Sequence, residues 1–121
     1  MTREITIGGE KYKFRSTAAI PRMYRIRFGR DIFVDMEKLQ KDIEDGEKAQ
    51  EGSSIPIASL EMFENIAYLM NKHGDPSQPD DVYEWLDQFD AFNIYEILPE
   101  ILELWNLNNK GTSVPKKKDA G

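Results

Sequence analysis

Residues 92–107 read FNIYEILPEILELWNL and form the most apolar stretch of the chain. Ten of these sixteen residues are apolar, and the polar ones recur every three or four positions, as in one narrow strip along a helix. A helix that is apolar over most of its circumference must be covered from several directions. It is therefore either the central helix of a bundle or a helix that reserves part of its face for another chain. Pro99 should remove one backbone hydrogen bond and bend this helix.

Four more helices are predicted between the N-terminal region and this stretch. The first should be capped by Ser16 or Thr17 and end at Gly29, and the second should be capped by Asp31. A third spans residues 56–74, and a short fourth follows the prolines of the next turn. The apolar seam of the second helix is Ile32, Met36, Leu39 and Ile43.

Residues 3–15 predict a β-hairpin, because apolar and polar residues alternate on both sides of Gly8 and Gly9. The fold class that follows is mainly α, a small bundle of about five helices with an N-terminal β-hairpin. We expect one helical domain over residues 1–109 and a disordered basic tail at 110–121. The charged, glycine-punctuated segment 44–55 is expected to be a loop and a second candidate for disorder.

The charge of the chain is unevenly distributed. Residues 1–30 carry eight Arg/Lys against two Glu, residues 31–109 carry four against nineteen acidic residues, and residues 110–121 carry four against one, which sums to the net charge of -6. Such a split favours self-association into a homo-oligomer. A protein with this acidic balance is not expected to bind nucleic acid through the whole domain.

The residues that usually support catalysis are scarce. The chain has no cysteine and one histidine, and it contains no glycine-rich phosphate loop or metal-ligand spacing. We therefore expect no enzymatic activity, no cofactor and no metal. His73 is interpreted as structural, at a helix end where the dipole favours an imidazolium. No apolar run is long enough for a membrane span or a signal peptide, which predicts a soluble cytoplasmic protein with no membrane partner.

The first predicted helix has a basic flank formed by Arg22, Arg25, Arg27 and Arg30. These side chains are either a solvated face that pairs with the acidic remainder, a face that binds a partner, or a nucleic-acid contact. The sequence alone leaves the three alternatives open.

A family resemblance adds to this reading. It is carried by MYRIRFGRDIFVDMEKL at 23–39, FENIAYLM at 63–70, VYEWLDQFDAFNIYEILPEILELW at 82–105 and the lysine-rich tail. Together these segments resemble the tail assembly chaperones of long-tailed, siphovirus-type phages and prophages of Gram-positive bacteria. The resemblance covers almost the whole chain but includes no active-site motif.

The resemblance implies a helper protein that acts in the host bacterial cytoplasm and is absent from the mature virion. Such a protein binds the tape measure protein and keeps it soluble while the tail tube polymerises around it. Members of the family are often made in two lengths by a ribosomal frameshift, and the longer form is thought to recruit the tail tube protein. Lys116–Lys118 would then mark the slippery site in the message.

Two alternative sets of residues are expected to form the surface that binds the partner. One is the apolar set Ile97, Ile101, Leu104 and Trp105, and the other is the arginine set Arg22, Arg25 and Arg30. The rival function is a small DNA-associated phage or prophage regulator, with the arginine helix as reader and the lysine tail on phosphates.

Overall fold

A computed structural model describes residues 1–49 and 55–107. The protein is mainly helical with an N-terminal antiparallel hairpin, which confirms the predicted fold class. The elements are β1 (Thr2–Ile7), β2 (Glu10–Arg15), α1 (Ala19–Phe28), α2 (Ile32–Ala49), α3 (Ile57–Gly74), α4 (Val82–Leu86) and α5 (Ala91–Glu96), and residues 98–107 are helical again.

The chain divides into two compact units. One unit is the continuous segment Ala18–Leu69, with α1, α2 and most of α3. The other combines Met1–Thr17 with the chain from Met70 onward. A single domain over residues 1–109 stays a prediction, and the tail at 110–121 lies outside the described residues.

The hairpin forms where the sequence predicts it. The pairing runs from Thr2 opposite Arg15 to Ile7 opposite Glu10, so that only Gly8 and Gly9 remain in the turn. Both glycines have positive φ, 60° and 89°, as the tight turn that matches strand twist requires. The apolar face of the ribbon is buried through Ile5, Ile7 and Phe14.

The start of α1 differs from the prediction. Its N-cap is Ala18, which makes no side-chain capping bond, in place of Ser16 or Thr17. The physical reason is that Ser16 extends the hairpin ladder: its N–H donates to the carbonyl of Met1, and its carbonyl accepts from the Met1 amino group. The Thr17 hydroxyl lies 3.1 Å from Nε2 of His73. The backbone of Ser16 is therefore held by the hairpin, with its hydroxyl buried and without a hydrogen-bond partner in the described ranges, and the Thr17 hydroxyl contacts His73.

The loop predicted over residues 44–55 is wrong in its first half, because α2 continues through Gly46 to Ala49. A single glycine inside a helix costs only about 1 kcal/mol, and the Glu, Lys and Ala residues around it are good helix formers. Residues 50–54 lie outside the described part of the chain.

The sequence predicts a bend of the last helix at Pro99, and the structure instead has a break in the helix at Ile97. The Ile97 N–H makes a short-range bond to the carbonyl of Ile94, and the Ile97 carbonyl then accepts from Glu100 and Ile101 at 2.9 and 3.0 Å. Pro99 consequently occupies the first turn of segment 98–107, where a backbone N–H is not needed inside the helix. The missing donor of proline thus divides the predicted last helix into two shorter ones.

The buried side chains of the unit that contains the hairpin include most of the apolar residues of segment 98–107. They are Ile5, Ile7, Phe14, Met70, Trp85, Ile94, Ile97, Leu98, Ile101, Leu104 and Trp105. Trp85 donates its indole N–H to Asn71 Oδ1 at 2.7 Å, and Asn71 Nδ2 donates to the carbonyl of Lys13 at 2.9 Å. This chain of polar bonds joins α4, α3 and β2 within the unit.

Gly74 ends α3 as the sequence predicts, but for a reason other than a left-handed cap. A Cβ atom at this position would lie 2.5 Å from the carbonyl oxygen of Lys13 in β2. The absence of a side chain therefore lets the end of α3 approach the backbone of the hairpin.

We expect Gly74→Ala to lower the free energy of unfolding by about 1–3 kcal/mol, because the added methyl group overpacks α3 against β2. Gly29→Asn is the contrast: a Cβ there meets no atom within 4 Å, and asparagine tolerates left-handed backbone. Urea unfolding of both variants measures the difference. Equal destabilisation by the two substitutions would contradict the close approach.

Candidate functional site

A sharp corner joins α1 to α2 and has the capping residues that the sequence predicts. Gly29 adopts the left-handed conformation (φ 69°, ψ 25°) and donates its N–H to the carbonyl of Arg25 at 2.8 Å. Asp31 then opens α2 by accepting the N–H groups of Phe33 and Val34 on Oδ1, at 2.8 and 3.4 Å. Only three residues separate the two helices, so their ends lie close together.

A buried ionic network fixes this corner. Asp35 is 2% exposed, and Arg30 donates to it through both Nε (2.6 Å to Oδ2) and Nη2 (2.8 Å to Oδ1). The Tyr24 hydroxyl donates to Oδ2 at 2.7 Å. Two N–H groups in a planar fork and one hydroxyl thus compensate a carboxylate that has little access to water. The network ties α1, the connection and α2 to one another.

The pKa values of the network follow from these contacts. The hydrogen bonds from Arg30 hold the pKa of Asp35 below its ordinary value, although burial acts in the opposite direction. Burial raises the pKa of Tyr24, and the neighbouring carboxylate raises it further. Asp35 is therefore ionised and Tyr24 is protonated at neutral pH.

A cleft of about 400 Å³ opens at the corner. Its lining residues come from α1, the connection and the first turn of α2: Pro21, Arg25, Gly29, Arg30, Asp31, Ile32 and Phe33. The volume is in the range of clefts that accept large side chains or small ligands. The corner cleft, as we call it, thus combines apolar walls with two guanidinium groups.

Large apolar side chains are exposed on the two helices that form the corner. Ile26 of α1 is 75% exposed, and Phe33 and Val34 of α2 are 55% and 59% exposed. Phe33 also lines the corner cleft. An exposed apolar side chain at a concave site, as Phe33 is here, is typical of surfaces that bind another protein.

The arginines predicted for partner binding have different roles. Arg30 is committed to Asp35 and so has a structural role beside the cleft. Arg27 lies over the ring of Tyr68, 5.0 Å from its centroid. Arg22 and Arg25 are exposed and form no ion pair within residues 1–49 and 55–107. These two keep their charge available to a partner.

The apolar set predicted for partner binding is buried and needs correction. Ile97, Ile101, Leu104 and Trp105 are 2%, 0%, 0% and 3% exposed. The face they form is covered within this chain, as the alternative of a central helix requires. In this conformation these residues stabilise the fold and offer no surface to another molecule.

The sequence did give a signal for the surface that was missed. Phe33 and Val34 are apolar, yet they lie outside the seam at Ile32, Met36, Leu39 and Ile43 that α2 uses for its core. Residues that are apolar but off the seam of an amphipathic helix must be exposed or covered by another element.

A second cleft of about 370 Å³ lies between the hairpin and the end of α3. It has both signs of charge, and Asp75 within it accepts hydrogen bonds from Ser77 and Gln78. Among residues 1–49 and 55–107, no group of three or more His, Asp or Glu side chains could hold a metal ion. Within the same ranges, no helix has the length and apolar character needed to cross a membrane.

The environment of His73 differs from the one expected at a helix end. Burial lowers the pKa of His73, and the positive charges of Arg15 and the N-terminal amino group act in the same direction. Because the pKa is lowered from an ordinary value of 6.5, the imidazole is neutral at pH 7. Its contact with Thr17 is consistent with a structural role.

Comparisons with known proteins provide no relative: no protein-family model, no curated protein and no solved structure matches the chain. The functional interpretation therefore depends on the geometry of the corner and on the resemblance described from the sequence.

We expect Asp35→Asn to lower the free energy of unfolding at pH 7 by about 2–3 kcal/mol. The substitution removes the negative charge to which Arg30 and Tyr24 both donate hydrogen bonds. The stabilisation by Asp35 is present above its ordinary pKa of 3.8 and is lost as the pH falls through the lowered native value. Denaturant unfolding from pH 7 to pH 2 should therefore show the difference between variant and wild type shrinking in acid.

The control for this prediction is Glu37→Gln, which removes an exposed carboxylate from the same helix. We expect little change in stability from it. If Glu37→Gln and Asp35→Asn had the same effect at every pH, the network would not be what stabilises the corner.

Proposed function

We propose that this protein is a tail assembly chaperone of a long-tailed phage or prophage. It binds the tape measure protein in the host bacterial cytoplasm, keeps it soluble and helps the tail tube to polymerise around it. It is not retained in the mature virion. The resemblance described from the sequence supports the class, and the corner between α1 and α2 supplies the binding surface.

The observation that carries the proposal is the exposure of Ile26, Phe33 and Val34 on the two helices of the corner, with Phe33 lining the corner cleft. A chaperone for a long helical protein has to cover apolar helix faces that would otherwise aggregate. An amphipathic helix laid into an apolar groove buries such a face through side chains at i, i+3, i+4 and i+7. The corner offers a groove of this kind, and the Asp35 network holds it in shape before the partner arrives.

The charge of the chain supports the same role. The net charge of -6 keeps a protein with exposed apolar side chains in solution. It also gives a complex with an aggregation-prone helix a charged exterior. The acidic residues of segment 31–109 would thus keep the complex soluble, and the corner would bind the partner.

The proposal includes two further partners. A longer product, made by a frameshift near Lys116–Lys118, would recruit the tail tube protein through its extension. The uneven charge supports self-association of the chaperone. Both belong to the function proposed from the resemblance.

We expect co-expression with a helical segment of the tape measure protein to keep that segment soluble, and the double variant Phe33→Asp/Val34→Asp to lose this effect. Two carboxylates would have to be desolvated in the interface, which costs enough to reduce the soluble complex by about tenfold or more. Co-purification through a tag on the chaperone, followed by quantification of the soluble segment, measures the outcome.

The matched control is Tyr83→Asp/Phe92→Asp, which also places two carboxylates at exposed apolar positions, 78% and 81% exposed, but outside the corner. It should keep the segment soluble. If the segment is equally soluble without the chaperone, the proposed function is wrong. If both double variants behave alike while the wild type solubilises the segment, the corner is not the binding surface.

A further inference from the structure

The lining of the corner cleft includes charged as well as apolar residues. It has two cationic lining residues, Arg25 and Arg30, and one anionic residue, Asp31. The Asp31 carboxylate is occupied by the N–H groups of Phe33 and Val34 at the start of α2. Arg30 is likewise bonded to Asp35, so Arg25 is the lining cation that forms no ion pair within the described ranges.

Arg25, which lines the cleft, has a second arginine near it on α1, Arg22. They are three residues apart on α1 and so lie on neighbouring positions of one helix face. The helix, Ala19–Phe28, contains no acidic residue, and neither arginine forms an ion pair within the described ranges. Arg30, by contrast, is already bonded to Asp35. A partner carboxylate would find unpaired guanidinium groups on the α1 side of the cleft.

We infer that the corner cleft selects an acidic amphipathic helix, one that inserts large apolar side chains beside Phe33 and places Asp or Glu residues against Arg22 and Arg25. The inference rests on the proposed function and specifies which segments of the helical partner are bound. Arg–carboxylate pairs at the edge of an apolar contact fix register and partner choice more than they add affinity. The net charge of the chain repels an acidic partner at long range, so this selectivity depends on contacts at the rim.

Three synthetic helical peptides with the same leucine face provide the probe, with glutamate, glutamine or lysine at the positions that flank the face. Fluorescence anisotropy with the full chain measures their Kd values. We expect the glutamate peptide to bind about tenfold more tightly than the lysine peptide, with the glutamine peptide between them. The difference should shrink in about 0.5 M salt, because exposed ion pairs are screened.

Arg25→Glu should reverse the preference, so that the lysine peptide binds more tightly than the glutamate peptide. Lys11→Glu is the matched control: it changes the net charge by the same amount at an exposed position of the hairpin and should leave the order unchanged. Circular dichroism verifies that both variants are folded. Phe33→Asp should weaken all three peptides, because it acts on the shared apolar contact.

Some results would overturn the inference and leave the proposed function standing. These are equal binding of the three peptides, tighter binding of the lysine peptide to the wild type, or no peptide binding while the chaperone still solubilises its partner. Tighter binding of short duplex DNA than of the glutamate peptide would also overturn it, since the arginines would then serve phosphates. Charge-selective peptide binding without any solubilisation in co-expression would refute the chaperone function alone.

Discussion

Asp35 needs its charge compensated, because a carboxylate that is 2% exposed cannot obtain that compensation from water. Tyr24 reaches it from α1 and Arg30 from the connection, so the two helices can cross only where both donors arrive together. Gly29, in the left-handed conformation, ends α1 and turns the chain so that α2 can begin beside it. The close approach of the two helix ends and the position of Arg30 at the cleft follow from this one requirement.

The apolar residues of the chain divide into two populations with different uses. Much of the most apolar stretch, residues 92–107, is covered within the chain and supplies Ile97, Ile101 and Leu104 to the core, although Phe92 at its start is 81% exposed. Phe33 and Val34 are also in contact with water, and they belong to a helix with a much narrower apolar seam. Hydrophobicity of a segment therefore indicates how many sides of it are covered, and it does not indicate which segment is offered to a partner.

Local signals in the sequence were sufficient to predict features that depend on the backbone or capping preference of a single residue type. Paired glycines for the hairpin turn, Gly29 and Asp31 at the corner, and proline in the last stretch each predict a feature that the structure has. The wrong prediction of the α1 cap has a tertiary cause: the Ser16 backbone and the Thr17 hydroxyl are held by residues distant in the sequence. The same holds for the site, because the burial of Trp105 and the pairing of Asp35 depend on elements that no local pattern connects.

The division of the chain into two units has a consequence for biosynthesis. The unit Ala18–Leu69 is one continuous segment, so all of its residues have been synthesised well before the ribosome reaches the last helix. The other unit is discontinuous. The Lys13 carbonyl accepts a hydrogen bond from Asn71, and Arg3 pairs with Glu103, one hundred positions later in the chain. Domains generally fold as units from the N-terminal end during synthesis, and contacts between distant positions form slowly. The residues of the corner are therefore all present in the nascent chain before residues that cover its first strands, such as Glu103, have been added.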